Sequence, residues 1–144
     1  MSRLPRRTGP SDRSAYALAA LLAVAGTTHF VMPHPYDTIV PRLLPGPPRA
    51  WTLASGAAEL ACALAVAQPR TRRMGATAAA ILFVAVFPAN VQMAIDWRSR
   101  PLSDRLVAYG RLPLQIPLVI WALRIRAARP PRGLRRLAGR RSGP

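Results

Sequence analysis

The chain has 144 residues, enough for one compact domain; 51% of them are hydrophobic, yet the formal net charge is +16. All 21 basic residues are Arg, and they sit in short clusters between long apolar runs, a pattern that excludes a soluble basic domain for nucleic acid and points to a membrane protein with basic loops. The single cysteine, Cys62, excludes an internal disulfide or a CxxC redox pair and, lying in an apolar run, reads as a small packing residue.

Four apolar runs follow one another: 15–32, 50–68, 74–95 and 106–123. Each approaches the ~20 residues that a helix needs to cross a hydrocarbon layer ~30 Å thick. Helices are expected, because lipid offers backbone N–H and C=O groups no partner beyond their own helix. The runs are too long and too continuous for barrel strands. Nor do the second and third carry the polar stripe of a helix that faces water. The expected fold is all-α, a transmembrane antiparallel four-helix bundle over residues 14–125, with basic tails at 1–13 and 126–144.

The first run, with Arg6 and Arg7 before it and Ala23-Val24-Ala25 inside it, has features of a cleavable signal peptide. Three more apolar runs keep the protein in the membrane either way, and the first is expected to be retained. The segment 33–49 has six prolines and cannot be one continuous helix. Residues 69–73 make a tight turn that forces the second and third helices to be antiparallel neighbours. Pro88 lies inside the third run and removes the hydrogen bond to the carbonyl of Val84, which predicts a kink. Pro113 and Pro117 predict the same in the fourth. Kinks beside polar groups can open a pocket.

Arginine also sets the orientation. With four crossings, the two tails and the 69–73 turn share one side and carry fifteen arginines; the opposite side carries six. The excess places both termini in the cytoplasm of a cell whose plasma membrane the protein spans. Trp51 and Trp97 then flank the outer interface and Trp121 the inner one. The C-terminal tail after Arg124 has no acid and contains Pro130, Pro131, Gly133 and Gly139. It is expected to be disordered, with its arginines against anionic lipid.

Polar residues at membrane depth are costly and therefore carry information. The antiparallel order brings His29, Glu59, Asn90, Arg111 and Gln115 to the outer half of one bundle. Ser55, Glu59 and Cys62 share a face of the second helix, as Arg111 and Gln115 do of the fourth. Gln92 points away from Asn90 and faces the outer interface. A carboxylate in lipid needs a partner, and Arg111 is the cation at similar depth, so a Glu59–Arg111 ion pair is expected. Such a pair can fix which helices pack together, can mark a ligand, quinone or proton site, or can contact a lipid headgroup. His29 and His34 are five residues apart with Pro33 between them, which does not suit a metal site.

Several motifs occur in a recognisable order: Gly26-Thr27-Thr28-His29-Phe30 with Pro33; Ile39-Val40-Pro41 with Leu44-Pro45; Trp51 with Ser55-Gly56-Ala57-Ala58-Glu59; Pro69-Arg70-Thr71-Arg72; Phe87-Pro88-Ala89-Asn90 with Met93-Ala94; and Arg111-Leu112-Pro113-Leu114-Gln115. Over residues 26–125 the chain resembles the DoxX-like family of small four-helix membrane proteins. The resemblance implies a membrane subunit or anchor for a redox or stress-response assembly, with a membrane or soluble oxidoreductase as partner and a quinone as possible cofactor. Two alternatives stand beside it: a carrier or binder of a small apolar molecule, and a membrane enzyme that uses Glu59 as acid or base. The chain has no haem, flavin or dithiol motif of its own.

Overall fold

A computed structural model describes residues 10–128 of the chain. The expectations for 1–9 and 129–144, including the disordered Arg-rich tail against anionic lipid, lie outside the described residues. Six helices follow in order: α1 (Pro10–Val31), α2 (Pro33–Asp37), α3 (Pro48–Ala67), α4 (Arg72–Ala85), α5 (Phe87–Asp96) and α6 (Leu102–Ala127). No strand occurs among the described residues. The segments Asp12–Val31, Pro48–Ala67, Arg72–Asp96 and Leu102–Ala127 are each long and apolar enough to cross a membrane. The architecture is all-α, a bundle of four spans that fits a multi-pass membrane protein.

The outward faces are apolar rather than polar: Leu64 is 74% exposed, Ile81 64% and Ile116 65%. In water such faces would have no reason to form, and in hydrocarbon they need none. The spans α1 and α6 both outrun the predicted limits, because the apolar runs mark hydrocarbon depth while the helices continue into their Arg-bearing ends.

α1 packs along α3, α3 against α4, and α4 with α5 against α6, whereas α1 and α6 meet only lightly. Contacts fix the antiparallel sense. Ser14, near the start of α1, accepts a hydrogen bond of 2.7 Å from Trp121 Nε1, near the end of α6. We call this the terminal end, and the opposite one, with the 32–47 segment, the loop end. Small residues let the helices approach at the terminal end. A Cβ added to Gly75 would stand 2.6 Å from backbone atoms of Ala65 and Val66. Ala15, Leu18, Leu22, Cys62, Val66 and Ala122 are buried in the core there.

Arg72 closes that end. Its guanidinium donates to Val66 O at 3.1 Å and Ala67 O at 3.4 Å, satisfying carbonyls left free at the C-terminus of α3. It also pairs with Asp12 at 2.5 Å.

The third span breaks at Val86, between α4 and α5, and Pro88 sits in the first turn of α5. Pro88 has no N–H for the carbonyl of Val84, which is the expected origin of the break. α6, by contrast, is helical through both Pro113 and Pro117. The segment 33–49 is not one continuous helix, as expected; it contains one short helix, α2, begun by Pro33 at a position where a helix loses nothing by a missing N–H. Gly46, with φ of 86°, takes the left-handed backbone that turns this segment into α3.

Candidate functional site

The loop-end half of the bundle holds a cavity beside a small buried cluster of Ile39, Met93 and Ala108. The cavity, of about 730 Å³, lies between α1, α3, the α4–α5 break and α6, and the 32–47 segment covers it. Its wall is mostly apolar, with Leu22, Ile39, Trp51, Phe83 and Leu118 among the lining residues. His29, Glu59, Asn90, Arg111 and Gln115, the five polar residues singled out by depth, all line it, as does Ser55. Gln92 does not; it donates to both carboxylate oxygens of Asp96 at 2.9 Å on the exposed side.

The His29–Glu59 corner is made by glycine. α1 and α3 cross at Gly26 and Gly56, where a Cβ on Gly26 would stand 2.9 Å from Gly56 O and a Cβ on Gly56 would stand 2.6 Å from His29 Cβ. Three residues beyond each glycine, one turn along each helix, lie His29 and Glu59. The close crossing puts His29 Nδ1 3.3 Å from Glu59 Oε2. Nδ1 also stands 2.9 Å from Ala25 O, one turn back in its own helix. With the proton assigned to Nδ1, the Ala25 carbonyl takes it. Glu59 Oε2 is then buried with no hydrogen-bond partner in the protein.

Arg111 does not take up that oxygen. No ion pair within 4.0 Å joins it to Glu59, contrary to the pairing expected from depth. The reason is lateral. α3 lies against α1 and α4, while α6 lies on the far side of α4 and α5. Equal depth therefore brings both charges to the same cavity without bringing them into contact. Arg111 Nη1 instead reaches Met93 Sδ at 3.6 Å, a weak acceptor.

The remaining polar pair repairs the helix break. Asn90 Nδ2 donates to Gln115 Oε1 at 3.1 Å. Gln115 Nε2 donates to the carbonyl of Phe83 in the last turn of α4. Asn90 and Gln115 are both buried. An amide from α6 thus holds the α4–α5 break against the fourth span, with the cavity on the inner side.

The cap is tied down by side chains that depth did not single out. The Tyr36 ring stacks on His29 with centroids 3.8 Å apart and planes at 26°. Thr28 Oγ1 donates to Ala25 O at 2.6 Å, which leaves Tyr36 OH to donate to Thr28 Oγ1 at 2.6 Å. Trp51 Nε1 donates to Pro45 O at 2.8 Å, and Arg49 Nε to Asp37 Oδ2 at 2.8 Å. Burial of Asp37 opposes its ionisation, but the Thr52 hydroxyl and Arg49 outweigh that cost and hold its carboxyl below the ordinary value. The Asp37 Oδ1 and Thr52 Oγ1 atoms are buried beside this pair without a well-formed hydrogen bond of their own. A short aromatic-bearing helix after a proline-rich start was the available signal for this cap, but its stacking partner is fixed only by the tertiary fold.

No curated protein and no solved structure matches the chain. Residues 18–126, well over half its length, match the family described as a domain of unknown function (DUF8561), and the chain belongs to that family.

Proposed function

We propose that this protein spans the plasma membrane four times with both termini in the cytoplasm, and that it binds one small, mostly apolar molecule in the capped cavity. The observation that carries the binding reading is the cavity itself. Its volume of about 730 Å³ falls in the range of small-molecule sites, and its apolar wall is interrupted by a few convergent polar groups. A bundle that served only as an anchor would gain by filling this space, since unfilled apolar volume weakens packing. A quinone is one occupant of suitable character. The rival, an anchor for a redox assembly, rests on the DoxX-like resemblance.

Purification from native membranes in mild detergent, with mass spectrometry of small molecules and proteins together, separates the two. A bound apolar molecule near one per chain, lost in an Ala58→Trp variant that fills the cavity, supports binding. A stoichiometric oxidoreductase with no such molecule refutes it. Orientation rests on the excess of arginine on the side of the tails and the 69–73 turn. In a Cys62→Ala background, an impermeant maleimide should label Arg42→Cys in intact cells and Arg70→Cys only after permeabilisation. The reverse pattern would overturn the assignment.

A further inference from the structure

Two groups that line the cavity lack what their chemistry requires. Among the described residues, the only polar contact of Arg111 is Met93 Sδ at 3.6 Å, and a guanidinium has five N–H donors to place. In the same cavity, Glu59 Oε2 is buried and has no hydrogen-bond partner in the protein. No guanidinium nitrogen of Arg111 lies within 4.0 Å of a Glu59 carboxylate oxygen. A molecule seated between them must accept from the cation and share a proton with the carboxyl.

We infer that the cavity takes a single-chain amphiphile headed by a carboxylic acid, with the head between Arg111 and Glu59 and the chain along Ile39, Leu44 and Trp51 toward the loop end. This rests on the binding reading above. A carboxyl group matches both residues. Its oxygens fit the fork of the guanidinium, and one proton can bridge it to Glu59. Charge balance selects the same class. Arg111 and Glu59 together are neutral, and an acid that arrives with its proton keeps them so in a low-dielectric site. A phosphate monoester would bring about −1.5 to −2 charges beside Glu59. A quaternary amine would set a second cation near Arg111. A quinone accepts at both oxygens but donates nothing to Glu59. The neighbouring polar groups fit around such a head: His29 on α1, Tyr36 on α2, and Asn90 and Gln115, which are neutral, on α5 and α6.

Trp51 lines the cavity and serves as the reporter. The full chain in detergent is titrated with dibromostearic acid, whose bromines quench tryptophan at short range, and separately with its methyl ester, which enters micelles equally well. Trp51→Phe defines the background from Trp97 and Trp121. The acid should half-quench Trp51 at a concentration about tenfold or more below the ester, the difference expected for hydrogen bonds to a charged group. Arg111→Gln should raise the acid to the ester's level. Equal quenching by acid and ester, or a short-chain quinone that displaces the acid more readily than the unbrominated acid does, would overturn the head-group assignment and leave the binding reading standing. If neither compound quenches Trp51 above background, both fall. Should Arg111→Gln not fold, Arg111→Lys and the acid–ester comparison on the unaltered chain decide the question.

Discussion

Gly56→Ala tests the packing that makes the site. The added Cβ would lie 2.6 Å from His29 Cβ, 2.9 Å from Phe30 Cε2 and 3.0 Å from Gly26 O. Carbon atoms in contact prefer about 3.5–4.0 Å, so the overlap with His29 is about 1 Å. His29 Cβ is fixed to the backbone of α1, and no rotamer change relieves the clash; the helix itself must move away. Overpacking of this kind costs about 1–3 kcal/mol. A gain from replacing glycine in a helix, about 1 kcal/mol, offsets part of that. Gly110→Ala supplies the reference, since a Cβ there meets nothing within 4 Å. The helix contribution is common to both, so Gly56→Ala should lie about 1–3 kcal/mol below Gly110→Ala. Reversible unfolding in mixed micelles, followed by circular dichroism, measures the difference. A movement of α1 would also pull His29 away from Glu59. Indistinguishable stabilities for the two variants would mean that the Gly26–Gly56 crossing is not as close as described, and the His29–Glu59 corner would lose its basis.

Other perturbations probe the remaining joints. Gln115→Leu removes the donor to the Phe83 carbonyl and the acceptor for Asn90; it should cost about 1 kcal/mol by the same unfolding assay, and a double-mutant cycle with Asn90→Ala should show coupling near the ~0.6 kcal/mol typical between membrane helices. Arg72→Ala frees two helix-end carbonyls and removes one ion pair of Asp12, and should cost about 1–3 kcal/mol. Arg100→Ala, which disturbs an exposed pair of 3.8 Å to Asp104 and the guanidinium 4.5 Å over the Trp97 ring, should cost no more than about 1 kcal/mol. Because the Asp37 carboxyl is held below its ordinary value when folded, its contribution to the cap is complete above the unfolded value near ~4 and is lost as pH falls through the lower, folded one. Trp51 emission should therefore be flat from neutral pH down to about 5 and change only in more acid solution. Asp37→Asn should abolish that change; persistence of the transition in the variant would assign it to another group.

The four spans were legible because hydrocarbon imposes a length and an apolar composition that a sequence displays directly. The break near Pro88 was legible for a similar reason, since the missing N–H is a covalent fact. The cavity-lining residues were found because buried polarity is expensive and therefore sparse: once helix direction was fixed, depth alone selected His29, Glu59, Asn90, Arg111 and Gln115. Partners were harder to obtain. Depth is one coordinate of three, and it set Glu59 level with Arg111 without saying which helices are neighbours. The lateral information was present in Gly26 and Gly56, each three residues before a polar group. Small residues are common in this chain, however, and nothing local distinguishes a glycine at a crossing from Gly110, which faces open space.

The two ends of the bundle follow from one allocation of side-chain size. At the terminal end Gly75, Ala76, Ala79 and Ala122 let α3, α4 and α6 close on Leu18, Leu22 and Val66, and the interior is filled. Toward the loop end the third span breaks at Val86, and the helices there enclose the cavity beside the small Ile39, Met93 and Ala108 cluster. A break of this kind exposes carbonyls that lipid cannot satisfy. The Gln115 amide donates to the Phe83 carbonyl, one residue before the Val84 carbonyl that Pro88 leaves open, which commits a buried polar side chain to structure rather than to chemistry. Asn90 is committed in turn, because it donates to Gln115. Of the five polar residues, these two hold the cavity open, and His29 is occupied by Ala25 O and by the Tyr36 ring. Glu59 and Arg111 are left with bonding capacity facing the interior. A mutational scan should divide the same way: Asn90 and Gln115 variants should lose folded protein, whereas Arg111→Gln should keep its abundance and lose discrimination among ligands.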